Sequence, residues 1–563
     1  MPHIQKCFHH ICRDVSLGDV EADVIQCSNV GVLADILDYH GEYSLAIELY
    51  QWVLARQAES LGRDHPDTLS TVRCIAFVFH DQGKYDEALE WYRKALAEGE
   101  ISLGGNHPDN LATVHWMADL FHDQGKYDEA LEWCTRALSG REKSLGKGHP
   151  HTLSSVYGMA NVSRSQGKYN EALAWYRRAL AGREKSLGKD HPDTLSAVFG
   201  IAVVFQDQGK YNEALKWYRR ALAGEEKSQG KDHPNTLSTV HYIANVLHDQ
   251  GKYDEALAWY RRALAGREKS QGKDHPNTLS TVHCIANVFH DQGKYDEALE
   301  WCRRALTGQE KSLGKDHPDT LATVHCIAIV FHDQGKYDQA LEQYRRALPG
   351  REKSLGKDHP DALSSVHGMA NVLRSQGKHD EALEWHKRAL AGREKSLGMG
   401  HPDTLSSVNS MANVLQHQGK YSEALEWYKR ALSGGEKSMG KDHPDTLSSV
   451  NGMANVLQHQ GKHDEALGWY RRALAGREQS LGKGHPHTLS TVNWMASVFQ
   501  HQGKYDEALE WYRRALAGRE KSLGKDHPDT LSTVSDTAAV FWKQGKGDKA
   551  LELYRRALAG QES

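Results

Sequence analysis

The side chains of this chain that are capable of chemistry come in ladders. His80, His122, His248, His290 and His332 recur at one position of a 42-residue period, where other copies carry Arg164 and Arg374 or Gln206, Gln416, Gln458 and Gln500. Histidines in register suggest a metal site or a pH response. Packed helices lie about 10 Å apart, too far for a ready-made shared metal site, so polar surface is the expectation here. Cys7, His9, His10 and Cys12 also offer zinc-type ligands, but without the loop of about a dozen residues that separates ligand pairs in structural zinc sites. The many Gly-Lys pairs imitate a phosphate loop and fail in detail. Five residues separate Gly140 from Gly146, and Gly148 follows Lys147 where a Ser or Thr should hold magnesium. No HExxH or GxSxG occurs, and Asp86 and Glu87 beside Lys84 read as a charged helix start. These residues predict no catalytic group, no metal and no cofactor, hence no enzyme.

Amides form a second ladder: Asn161, Asn245, Asn287, Asn371, Asn413 and Asn455. A carboxamide has both a donor and an acceptor, so such a row can pair with the backbone of a bound peptide whatever its sequence. The same row can instead stitch neighbouring helices together. Four residues earlier the copies diverge, reading His115, Tyr157, Phe199, His241, His283, His325, His367, Asn409, Asn451 and Asn493. The next residue diverges too, with Trp116 and Trp494 at the two ends of the series and Gly, Tyr, Cys or Ser between. Both positions fall off the apolar stripe, so they are expected to face solvent and be read by a partner.

The elements that position these ladders follow from the period. A His-Pro pair opens each copy at His65, His107, His149, His191, His233, His275, His317, His359, His401, His443, His485 and His527, with no insertion between any two. In the copy beginning at His275, Val282, Ile285, Ala286 and Phe289 show helical spacing, predicting one helix over roughly 277–290. Pro276 suits its first turn, and Gly293 suits a left-handed reversal at its end. Tyr295, Ala298, Leu299, Cys302, Ala305 and Leu306 predict a second, longer helix to about Ser312. Trp91, Trp133, Trp175 and their counterparts on second helices are read as packing, and Pro349 as a bend or early stop in its helix.

A period this strict implies a one-dimensional stack in which each unit buries its apolar face on its neighbours. Residues 1–26 are expected to form a leader and residues 27–563 a continuous array of about 13 units, the first and last degenerate. Lys plus Arg (70) nearly balances Asp plus Glu (74), which argues for neither nucleic acid nor membrane as partner. The eight cysteines are scattered over different positions of the unit, as in reduced thiols, and the expected location is the cytoplasm.

Val72, Ile75, Ala76, Phe79, Gly83, Tyr85, Ala88, Leu89, Tyr92, Ala95 and Leu96 resemble the tetratricopeptide repeat in its 42-residue form. The spelling HPDTLS, QGKYDEAL, RRAL and REKSLG is similar to the repeats of kinesin light chains, and to repeat arms of fungal and bacterial nucleotide-binding sensor proteins. The resemblance implies an all-α, right-handed superhelical solenoid of antiparallel helix pairs, whose concave wall of first helices binds a protein or peptide. The amide ladder and the two divergent columns are expected to line that wall, with Asn161, Asn245, Asn287, Asn371, Asn413, Asn455, His241, His283, His325, His367, Asn409, Asn451, Asn493, Trp116 and Trp494 as the groove-binding residues; the resemblance supports the asparagines among them. A non-catalytic scaffold is the leading expectation. The alternatives are a sensor arm, a kinesin-type adaptor, and an array that self-associates through its end faces.

Overall fold

The computed structural model of the chain describes residues 20–39 and 43–562. The stretch from Cys7 to Cys12 lies outside them. Twenty-six helices and no strand occur among the described residues, so the fold is an all-α solenoid of helix pairs. In the unit opened by His275 the first helix is Pro276–Asp291 and the second Tyr295–Ser312, one residue beyond prediction at each end of the first.

Local chemistry explains these boundaries. His275 is the N-cap: its backbone is extended and its Nδ1 accepts the N–H of Asn277 at 3.1 Å, with proline at the first helical position. At the other end Gly293 takes a φ of 73° and the Lys294 N–H donates to the Phe289 carbonyl at 2.9 Å, the six-to-one bond of a Schellman turn. Gly308 sits so close to Leu279 that a Cβ would lie 2.6 Å from its Cδ2, which is why a small residue recurs where the paired helices approach. Pro349 neither ends nor shortens its helix, which spans the usual 18 residues from Tyr337 to Ser354. Pro349 and Arg345 are both exposed, so water can reach the carbonyl that loses its N–H partner.

The chain divides into two compact units, residues 1–113 and 114–563. In the first, Ala34, Leu37, Ala46, Tyr50, Ile75 and Val78 form the core. In the second the core is a continuous seam, with Tyr218, Val240, Ala244, Ala256, Tyr260 and Val282 all nearly or fully inaccessible; each such aliphatic side chain contributes about 1.5–3 kcal/mol.

Within residues 114–563 the stack coils back over itself. The Nε2 of His359 lies 3.0 Å from the carbonyl of Asp123, 236 residues earlier. The contact repeats in register from His401 to Ser165, His443 to Asp207 and His485 to Asp249, at 3.0 to 3.1 Å, and His527 bonds the backbone of Asp291 in the same way. Because each Nδ1 is already accepting a cap N–H, each Nε2 must carry the proton and donate it. Between five and six units therefore complete a turn, and the reversals at Gly125, Gly167, Gly209, Gly251 and Gly293 lie against the His-Pro pairs of the turn above.

Candidate functional site

First helices of residues 114–563 present one face at the residues five, eight, twelve and fifteen positions after the opening histidine. From three consecutive units this face encloses a cavity of about 440 Å³, lined by His325, Ile329, His332, Ser364, His367, Asn371, Arg374, Asp403 and Ser406, with Tyr344 and Arg393 from second helices.

The amide ladder of this face is half-buried, and most of its members already have a partner. Asn161 accepts the hydroxyl of Tyr176 at 2.5 Å, and Asn245, Asn413 and Asn455 accept those of Tyr260, Tyr428 and Tyr470. The stitching runs from first to second helix within a unit. Asn287 instead accepts the thiol of Cys326 at 2.9 Å. Asn371 makes neither bond, and the residue at the tyrosine position of its unit is His386, fully buried with both ring nitrogens unbonded.

The column four residues earlier is less open than its variability suggests. His241, Asn451 and Asn493 are buried, and His283, His325, His367 and Asn409 are half-buried or exposed only in part. Each reaches the next unit. His283 faces Thr323 at 3.2 Å and Ser449 donates to Asn409 at 2.9 Å, while Asn493 bonds Asp536 at 3.0 Å. His241 and His325 stand edge-on to Tyr260 and Tyr344. Burial, with Arg267 and His283 adding to it, pushes the His241 imidazole down to about 3, and burial with Arg351 takes His283 to about 4. These rings are neutral bases of the seam. Asn451 is only 2 % exposed and meets Thr491.

The next column varies for a packing reason. A Cβ on Gly200 would lie 2.4 Å from the Tyr176 ring of the preceding unit, and one on Gly452 2.2 Å from the Tyr428 ring. Where the preceding residue is Cys302, the column holds Cys326, with the sulfurs 3.5 Å apart. Trp494 packs beside Tyr470, and Trp116, like Trp494, is half-buried. A residue and its counterpart 24 positions earlier thus fill one space together.

The histidine ladder bridges units directly, each ring reaching a polar side chain of the next unit. His248 contacts Asp291 at 2.8 Å, His290 contacts Asp333 at 2.7 Å, and His122 meets Ser165 at 2.7 Å. The partner is the last residue of the neighbouring first helix, which ordinary interaxial spacing does not exclude for two side chains reaching toward each other. Burial opposes the charge on His290, but hydrogen bonds and the charges of Asp291 and Asp333 outweigh it and raise the ring to about 9. Arg374 stands apart: where Arg164 faces Asp207 at 3.5 Å, Arg374 faces His417 at 3.2 Å. Among the described residues no group of three or more His, Cys, Asp or Glu is arranged to hold a metal ion.

Periodicity gave no hint of the buried arginines of second helices. Arg351, 4 % exposed, donates to the carbonyl of Asp361 and the hydroxyl of Ser365, both at 2.9 Å. Arg393 and Arg477 repeat this with Asp403 and Ser407, and with His487 and Thr491. Each pins the start of the next first helix. The signal lay in the recurrence of arginine at the head of REKSLG and its variants, where Glu225, Gln309 and Gly435 stand in other copies, a segment that reads as solvated charge. On the outer face Arg178 covers Trp175 at 5.5 Å and pairs with Glu142 of the preceding unit, so the tryptophans are packing residues.

Ten stretches of the chain match the family model of the tetratricopeptide repeat: 25–97, 109–185, 153–227, 196–269, 235–283, 277–353, 321–395, 403–479, 446–493 and 487–563. The chain belongs to the tetratricopeptide repeat family. No curated protein matches it. Among solved structures it is similar to a Podosopora anserina putative kinesin light chain with nearly identical TPR-like repeats. That match has 26% identity over 37% of this chain and 98% of that one, with a TM-score of 0.31. It is also similar to a Rap protein complexed with competence and sporulation factor, at 15% identity over 66% of this chain and 99% of that one, with a TM-score of 0.46. In this tetratricopeptide array the opening histidine adds a role that helix periodicity does not require: it caps its own helix and, at His359, His401, His443, His485 and His527, also latches the turn before it. Among the described residues no helix is long and apolar enough to cross a membrane.

Proposed function

We propose that this tetratricopeptide array is a non-catalytic scaffold that holds a segment of another protein against its wall of first helices. One observation carries the reading: the cavity around Asn371 collects polar side chains from three consecutive units, among them an amide that makes neither the tyrosine nor the cysteine bond of its sister copies. Backbone groups of an extended segment need donors and acceptors in alternation, and Asn371, Ser364, Ser406 and Arg374 supply them. His283, His325, His367, Asn409, Trp116 and Trp494 contribute through their exposed edges, and the remaining amides through their NH2 groups. His241, Asn451 and Asn493 support the wall from beneath. Capture of proteins from native extract by the full chain tests this. Asn371→Ala with Arg374→Glu should remove a bound protein that the outer-face control Lys387→Glu retains. Equal capture by both, with unchanged helicity, excludes this stretch of wall.

A further inference from the structure

The contact between turns has two faces, and this chain leaves a row of each uncovered. The lower face is the Gln-Gly-Lys reversal. Gly125, Gly167, Gly209, Gly251 and Gly293 are covered there by a His-Pro pair, whereas Gly335, Gly377, Gly419, Gly461, Gly503 and Gly545 are exposed with nothing within 4 Å of an added Cβ. The upper face is the His-Pro pair itself. His359, His401 and His443 have side chains 10 %, 12 % and 8 % exposed because a carbonyl of the turn below holds Nε2. His191, with the same local sequence, is 39 % exposed, and among the described residues no backbone carbonyl faces the Nε2 of His149, His191 or His233.

We infer that the open reversal edge, from Gly335 to Gly545, docks the open His-Pro edge of a second copy of this chain. The occupant follows from continuity. Residues 114–563 make this contact five times within themselves, between surfaces of the same sequence, so the two open edges are complementary by construction. Each contact comprises an imidazole N–H donated to a helix-terminal carbonyl and a proline ring seated on a glycine. Because the edges differ, the association is head to tail and does not close, so copies continue the coil as a filament. The docking uses the edges of the coil, leaving the wall of first helices free, and so stands independently of the peptide-binding reading.

Light scattering and sedimentation of the full chain, from dilute to concentrated solution, read the association directly. The expected result is a mass that climbs through dimer to higher multiples. His149→Asn, His191→Asn and His233→Asn combined retain an N-cap, since asparagine is among the best caps, but lose the reaching N–H. Association should weaken roughly tenfold or more. The matching triple His359→Asn, His401→Asn and His443→Asn should still associate. A constant monomer mass overturns the inference. So does association that survives the first triple and is lost instead with Leu551→Glu and Leu558→Glu, which alter the exposed apolar face of the last helix.

Discussion

His191 and His401 open units of nearly the same spelling, cap their helices with the same 3.2 Å bond to the residue two positions on, and differ threefold in exposure. What separates them is the carbonyl of Ser165, 236 residues before His401. The same split divides Gly209, against which Pro444 is packed, from Gly461, which meets nothing. In a solenoid, stability is to first order a sum over units and their nearest neighbours. The covered edge adds a contact that this sum omits, so identical sequences in different turns should not be energetically equivalent.

Acid should break the equivalence most visibly. Burial, first of all, holds the imidazoles of His359, His401, His485 and His527 below the ordinary histidine range; for His485, with His487 and Arg477 adding to burial and the Asp249 carbonyl opposing it, the value is about 3. A base whose folded pKa is depressed contributes stability that is fully present above the unfolded value near 6.5 and is lost as pH falls toward the folded one. At pH 5, a histidine that must stay neutral costs about 2 kcal/mol; a protonated ring forfeits the cap at Nδ1 but keeps its Nε2–H, so the charge is relieved by separating the turns and letting water reach the buried ring. Small-angle scattering should therefore show the coil lengthening between pH 7.5 and 5, while helicity persists. His290 works in the other direction. Raised to about 9 between Asp291 and Asp333, it stabilises the wall below pH 6.5 and loses that contribution as pH rises through about 9. Hydrogen-exchange protection around residues 290 and 333, taken relative to the base-catalysed intrinsic rate, should fall in mild alkali, and His290→Gln should abolish that fall. A coil unaltered by acid would mean that separating the turns does not relieve the burial of these rings.

Glycine substitutions sharpen the contrast by geometry. Gly209 and Gly461 adopt φ of 67° and 76°, so alanine at either site incurs about 1–2 kcal/mol of left-handed strain. Only at Gly209 would the new Cβ also lie 2.7 Å from Pro444 Cδ, and relief of that overlap costs about 1–3 kcal/mol further. Gly209→Ala should lower the melting temperature more than Gly461→Ala and loosen the coil. Equal losses would show the strain alone at work.

Much of this molecule was legible in its sequence. Val282, Ile285, Ala286 and Phe289 define a helix stripe, Gly293 a reversal, and the local rules of packing do the rest. Pro349 misled because its penalty depends on whether the freed carbonyl can reach water, which spacing does not reveal. The candidate wall was harder to read. Variation at Gly200, Cys326 and Trp494 looks like freedom to face a partner, yet each fills space beside Tyr176, Cys302 or Tyr470 of the preceding unit. Asn371 became distinctive only when His386 was seen in the tyrosine position below it. The latches were the least legible of all. A contact that recurs at 236 residues is set by the small rotation between units summed over a whole turn, and no motif within one unit encodes that sum.

The smallest effect isolates the latch itself. His401→Asn should keep the cap, because an asparagine oxygen can accept the Asp403 N–H as the imidazole Nδ1 does, while the shorter side chain cannot reach Ser165. A single neutral hydrogen bond contributes about 0.5–1.5 kcal/mol net, and opening at this edge lets water replace the lost donor, so the loss should fall in the lower half of that range. His191→Asn removes no such bond and should be neutral or slightly stabilising through better capping. Native-state hydrogen exchange at the end of the helix Pro150–Ser165 discriminates better than melting, because the latch constrains local opening more than global unfolding. Faster exchange there in His401→Asn, with no change in His191→Asn, would locate the energetic difference in the turn-to-turn contact. The same acceleration in both would return it to the cap.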